Sequence, residues 1–173
     1  MSRILWSPTQ ERAEASTMAA FERFVEKKRG LTFEDYNDRW SVSDLEGFWA
    51  SIWEFFDVRA SEPYSRILAD RAMPGAQWCP GAMLNYADNI LRHAEGRTDE
   101  TAIVSFSETL GRKELTWGEL RAQVASLAAN LRRMGVEQGD RVVAVLPNTE
   151  VALISLLATA SIGAAWSLCA PDM

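Results

Sequence analysis

The chain has 173 residues, an apolar fraction of 47% and seven tryptophans, which fits a packed globular protein of one ordinary domain or two small pieces and excludes a disordered chain. Its formal net charge is −6 and its only cationic cluster is Lys27-Lys28-Arg29, a balance that excludes nucleic acid as the partner class. Cys79 and Cys169 are far apart, and neither they nor the single histidine, His93, stand at metal-ligand spacing, so no metal site is expected and His93 reads as a surface or cap residue.

The opening MSRILWSPTQERAE lacks the apolar core of a signal peptide, which with the unpaired cysteines implies a reducing, cytoplasmic setting. Ser7-Pro8-Thr9-Gln10 predicts a helix start, with Ser7 as the cap, Pro8 in the first turn and Gln10 completing a capping box. Met18, Phe21 and Val25 then share one helical face. Gly30 ends the helix, and Lys27-Lys28-Arg29 sit where cations complement its carboxyl end. Thr32 with Asp35 predicts a short helical piece carrying Tyr36 and Trp40. Ser43-Asp44-Leu45-Glu46 reads as a second capping box, followed at helical spacing by Leu45, Phe48, Trp49, Ile52, Phe55 and Phe56. So heavy an aromatic stripe reads as a docking face, since each buried ring removes a large apolar area from water. Residues 1 to about 60 thus form a helical layer that packs on something larger.

Met73–Ala82 repeats Pro-Gly-Ala and predicts an ordered, turning loop. Asn85 caps a helix through Tyr86, Ile90 and Leu91 that Gly96 ends, and the polar run Glu95–Glu100 marks a boundary. Thr101–Ser107 is strand-like, Leu110-Gly111-Arg112 turns, and Lys113–Leu115 returns as the partner of a hairpin. Thr116 and Glu119 form a third capping box, for a helix presenting Leu120, Val124, Leu127, Leu131 and Met134 and stopped by Gly135.

From Arg141 the pattern is strand, helix, strand. Arg141–Leu146 is a valine-rich run of the kind buried on both faces. Pro147-Asn148 breaks it, with Asn148 as the helix cap. Val151, Leu153, Ile154, Leu156, Leu157 and Ile162 put apolar groups all round the next helix, so it should be buried; Gly163 closes it and Ala164–Cys169 returns. Two strands joined by one helix imply a parallel pair with a right-handed crossover. Val151–Ala170 is uncharged and long enough to span a bilayer, but Ser155, Thr159, Ser161 and Ser167 lower its hydrophobicity, Gly163 splits it, and its flanks, Glu150 and Asp172, carry no Lys or Arg. The fold class is therefore α/β with a helical cap in front.

No catalytic constellation emerges from the residues. The ten glycines form no phosphate-cradling loop, and no Gly-x-Ser-x-Gly elbow occurs. The acidic residues fall on caps and polar faces.

Certain motifs go further. Leu115-Thr116-Trp117-Gly118-Glu119-Leu120, Gly135-Val136, Gly139-Asp140-Arg141-Val142 and Ile162-Gly163-Ala164 resemble the opening of the adenylate-forming acyl-CoA synthetases, with Trp117 where Tyr is usual. Phe48-Trp49, Trp53, Phe55-Phe56, Pro63-Tyr64, Met73–Ala82 and Leu84–Asn89 resemble the N-terminal cap of the acetyl-CoA synthetase group. Met73–Ala82 together with Trp166–Asp172 is similar to the acetoacetate-activating branch, with Ala170 where Ser is frequent.

The resemblance implies residues 1–96 as the cap and 97–173 as an incomplete start of the AMP-binding domain. It implies a parent that converts ATP, acetoacetate and CoA to acetoacetyl-CoA, AMP and diphosphate, using Mg²⁺. The phosphate loop, metal-binding acid and catalytic lysine of that family lie beyond every matched segment. The chain is therefore expected to be an N-terminal fragment or truncated reading frame, inactive alone and without catalytic or metal residues, whose partner is the remainder of the same polypeptide. Ala170, Pro171 and Asp172 correspond to a loop near the CoA nucleotide, or else form an ordinary strand-end turn. The alternatives are a piece of an acetyl- or propionyl-CoA synthetase, or a stand-alone, non-catalytic partner-binding module built on the aromatic stripe.

Overall fold

The computed structural model describes residues 4–32, 40–109 and 111–171. The chain divides into two compact units, Met1–Val58 with Tyr64–Ala82, and Arg59–Pro63 with Met83–Met173.

The first unit is helical, with one small hairpin. Helix α1 (Gln10–Glu14) is capped by Thr9, whose hydroxyl accepts from the Arg12 N–H, and α2 (Thr17–Arg29) is capped by Ser16. The single helix expected from Ser7 is thus two, and the cap is Thr9. The chain breaks at Ala15-Ser16 because the Ser16 side chain satisfies the Ala19 N–H and starts a new helix there. Gly30 ends α2 at φ 68° as expected. Phe21 and Val25 are buried, whereas Met18 is exposed. The short helix α3 spans Trp40–Ser43. The piece predicted from Thr32, Asp35 and Tyr36 falls mostly at 33–39, outside the described residues.

Helix α4 (Leu45–Phe55) is capped by Asp44 rather than Ser43, with the Asp44 carboxylate accepting from the Gly47 N–H. Its expected box partner, Glu46, instead pairs with Arg71. Strands β1 (Leu68–Asp70) and β2 (Gln77–Trp78) form an antiparallel pair that frames the Pro-Gly-Ala loop, a pairing the loop reading missed.

The second unit holds the expected α/β elements. Helix α5 (Tyr86–Leu91) runs into a 3₁₀ turn at Arg92–Ala94. It is capped by Asn85, whose Oδ1 accepts from the Ala87 and Asp88 N–H groups. Strands β3 (Thr101–Ser107) and β4 (Gly111–Thr116) pair antiparallel; Leu110 of their turn lies outside the described residues. A register irregularity between Thr101 and Ile103 lets the neighbours Ala102 and Ile103 both pack on the core, which simple alternation would forbid.

Helix α6 (Trp117–Arg133) carries the predicted capping box of Thr116 and Glu119. Its next two free N–H groups are also satisfied, Trp117 by the Glu100 carbonyl at 3.0 Å and Gly118 by the Thr98 carbonyl at 2.8 Å. A methyl at Gly118 would meet that Thr98 oxygen at 3.1 Å, so glycine permits this close approach.

Strand β5 (Arg141–Val145), helix α7 (Glu150–Ile162) and strand β6 (Ala165–Cys169) form the crossover, with β5 and β6 parallel and Arg141 opposite Ala165. The buried cluster is built from Ala87, Leu115, Leu120, Val124, Ala128, Ile154, Leu157 and Ala158, so α5, β4, α6 and α7 share one core.

Three expectations change in this segment. The residue at the cap position of α7 is Thr149, not Asn148, and its side chain makes no capping bond. Strand β5 is not buried on both faces: Val143 and Val145 are 65% and 64% exposed, alternating with half-buried Val142 and Ala144. Helix α7 is not buried all round, since Val151 and Leu153 remain exposed while Ala152, Ile154, Leu157 and Ala158 are covered. The reason is common to both. A doubly covered parallel sheet needs helices on two faces and further strands at its edges, and among the described residues β5 and β6 pair only with each other.

Gly163 ends α7 at φ 85°, and a Cβ there would lie 3.0 Å from Gln138 Cγ. Gly135 has nearly the same φ, 89°, with open space around it. Gly163→Ala should cost about 1–2 kcal/mol from the left-handed backbone, with the Gln138 contact adding to it. Gly135→Ala should cost only the backbone part. Urea midpoints of the two variants check this, and equal losses would mean that Gln138 simply yields.

Candidate functional site

In an open parallel sheet, ligands bind outside the carboxyl ends of the strands. Here that edge is formed by the ends of β5 and β6 and the amino end of α7. The Leu146 N–H donates to the Cys169 carbonyl at 3.1 Å, holding the two exits together. Ala170 and Pro171 follow β6 directly and are exposed. Asp172 lies outside the described residues.

The ionic feature of this edge is Glu150, in the first turn of α7. Its Oε2 accepts from the Ser105 hydroxyl at 3.0 Å, and its Oε1 pairs with Lys113. Ser105 lies on β3 and Lys113 opposite it on β4, so one carboxylate ties the hairpin to the crossover helix. The Glu150 side chain is largely buried while Lys113 stays exposed. The Lys113 ammonium, then the helix's own N–H at Glu150 and the Ser105 hydroxyl, hold the carboxyl below the ordinary glutamate range. Sequence reasoning used Glu150 only as a flank. It had no signal for this group, because the hairpin pairs Ser105 with Lys113 and only tertiary packing brings the distant Glu150 to them.

Elsewhere in the second unit an open cavity of about 350 Å³ is lined by residues including Asn85, Arg92, Glu95 and Arg121. His93 is exposed, with its ring 5.9 Å from that of Trp117. Among the described residues, no group of three or more His, Cys, Asp or Glu comes together to hold a metal ion, and no helix is long and apolar enough to cross a membrane.

The aromatic stripe has ring partners within the first unit. Phe21 of α2 meets Phe55 and Phe48 edge-on, at 5.2 and 6.1 Å between ring centroids. Trp53 meets Tyr64 at 4.9 Å and Trp49 meets Trp78 at 5.8 Å. Trp49, Phe56 and Trp78 keep part of their surface in solvent.

Comparison with known proteins accounts for both halves. Residues 36–90 match the family described as acetyl-coenzyme A synthetase N-terminus, and residues 90–173 match the family described as AMP-binding enzyme. The chain matches the N-terminal part of the adenylate-forming, AMP-binding acyl-CoA synthetases. Within that class it is similar to acetoacetyl-CoA synthetases and, at 33% identity over 98% of this chain and 24% of that protein, to the malonamoyl-CoA synthetase vrtB from Penicillium aethiopicum. It is 39% identical to the acetoacetyl-CoA synthetase from Danio rerio over 99% of this chain and 26% of that protein. It is 40% identical to the one from Rhizobium meliloti (strain 1021), over 98% and 26%. The solved acetoacetyl-CoA synthetase from Streptomyces lividans superposes with a TM-score of 0.90 at 48% identity, covering 99% of this chain and 27% of that one. The chain therefore spans about a quarter of the length of the relatives it matches.

The Glu150 tie predicts a pH effect of definite sign. A carboxylate whose folded pKa is lowered adds stability above its unfolded pKa, and that stability is lost as pH falls through the folded value. Glu150→Gln should therefore be less stable than the parent chain at neutral pH and converge with it in acid. Urea midpoints across that range check this; parallel curves would show that the tie carries no linked proton.

Proposed function

We propose that the chain is the front of an acetoacetate–CoA ligase. In the whole protein, ATP and acetoacetate give an acyl-adenylate and diphosphate, and CoA then takes the acyl group, releasing AMP. The observation that carries this reading is the 39–48% identity to acetoacetyl-CoA synthetases along essentially the entire chain. Residues 1–96 act as the cap and 97–173 begin the AMP-binding domain. Ala170, Pro171 and Asp172 form a loop near the CoA nucleotide, at the carboxyl edge of the parallel pair. ATP, CoA and Mg²⁺ are used by the whole protein in the cytoplasm, and the chain's working partner is the remainder of that polypeptide. Adenylation depends on cations and donors aimed at the phosphates, and no such group is assigned to residues present here. The chain alone is accordingly inactive. Acetyl- and propionyl-CoA synthetases share the same kind of front end and are the alternative. Acyl choice is made by differential transition-state binding in the pocket, and no described residue is assigned to that pocket.

Two experiments test the reading. The purified chain should give no acetoacetate-dependent exchange of labelled diphosphate into ATP above a blank, and the complete gene product should show higher kcat/KM for acetoacetate than for acetate or propionate. A preference for acetate would remove the substrate assignment and leave the ligase class standing.

Val143 and Val145, exposed on one face of β5, supply a further check. Apolar patches beyond a few hundred Å² drive association, so the chain alone should self-associate by light scattering, and Val143→Lys with Val145→Lys should reduce it. A sharp monomer peak with cooperative unfolding would favour a stand-alone binding module.

A further inference from the structure

Leu84–Asn89 carries two asparagines one helical turn apart, and the function proposed above uses neither. Both are half-buried. Besides capping α5, Asn85 donates through Nδ2 to the Ala160 carbonyl on α7 at 2.8 Å. Asn89 turns the other way. Its Oδ1 accepts from the Arg59 backbone N–H at 2.9 Å, and its Nδ2 donates to the Arg59 carbonyl at 2.9 Å and the Asn85 carbonyl at 3.0 Å. A primary amide that accepts from the N–H and donates to the C=O of one residue reproduces the paired bonds of an antiparallel strand neighbour.

The residues after Arg59 continue the attachment. The Ser61 N–H and hydroxyl both donate to the Met83 carbonyl, at 2.7 and 3.0 Å. Met83 returns its N–H to the Glu62 carbonyl at 3.0 Å, forming an isolated antiparallel bridge. The Arg59 guanidinium adds two parallel bonds to Glu95, each 2.9 Å.

Arg59–Pro63 belongs to the second unit although the residues on both sides of it belong to the first. Apolar burial does not explain this: Arg59 and Ala60 are half-buried, and Ser61, Glu62 and Pro63 are exposed. Hydrogen bonds are what hold the segment. We propose that Arg59–Pro63 is a strap latched to α5 by the Asn89 amide, and that it opens together with Met83 as one cooperative unit. The ranking of its contacts follows from burial. The Arg59 and Glu95 side chains are 40% and 58% exposed, and exposed ion pairs contribute little. The Asn89 amide is half-buried, and removing it takes away both of its bonds to the Arg59 backbone.

Amide hydrogen exchange on the full chain tests this. Asn89→Ala should speed exchange at Arg59, Ser61 and Met83 together, by about tenfold or more, roughly the factor expected for losing a paired amide. Glu95→Gln should change them by less than about threefold. The Leu157 and Ala158 amides in the core of α7 should stay unchanged. If Asn89→Ala does not fold, Asn89→Asp keeps the acceptor for the Arg59 N–H, loses the donor to its carbonyl, and should loosen the same amides to a smaller extent. The proposal is overturned if Ser61 and Met83 keep parental protection in whichever variant folds, or if Leu157 and Ala158 loosen equally. It also fails if Glu95→Gln has the larger effect.

Discussion

Two parallel strands cannot be joined by a tight turn; the chain must leave one end of the sheet and come back to the other. That constraint governs the second unit. Helix α7 is the return path, and its Ile154, Leu157 and Ala158 form the surface on which α5, α6 and β4 assemble. Ends as well as faces are fixed. The Gly139 N–H donates to the Gly163 carbonyl, and the Ala165 N–H to the Asp140 carbonyl, so both strands start from one closed corner. At the opposite edge Leu146 and Cys169 close the pair and Glu150 reaches the hairpin. Ala170 and Pro171 leave this frame directly from β6.

Elements with a local cause were legible in the sequence. Thr116 and Glu119 are three residues apart, and both halves of their box form. Asn85, Gly30, Gly135 and Gly163 do what their side chains, or the lack of one, dictate. The crossover was legible because valine-rich, helical and apolar stretches follow one another with a break at Pro147-Asn148. The errors share a cause too. Ser7, Ser43 and Asn148 were each one or two residues from the residue at the cap position. Several small polar residues stand together at each site, and the choice among them rests on backbone geometry.

Burial was the harder inference. Apolar sequence states what a segment can bury, not what covers it. The stripe of α4 found its partners in Phe21, Tyr64 and Trp78 inside its own unit. Val143, Val145 and Phe106 have the composition of core residues and remain exposed. The candidate site was legible only through resemblance. Nothing in the pattern around Ala170-Pro171 signals a ligand, and the Glu150 cluster draws on three separate elements.

The division into units has a consequence for the growing chain. Arg59–Pro63 leaves the ribosome well before Met83, Asn89 and Glu95, its partners in the second unit. At 5–20 residues per second, the roughly thirty residues between Pro63 and Glu95 take on the order of two to six seconds to add. Hairpins and helices form in microseconds. The segments flanking the strap, including β1 and β2, thus have time to settle first, and the strap waits as an open loop until α5 emerges to receive it.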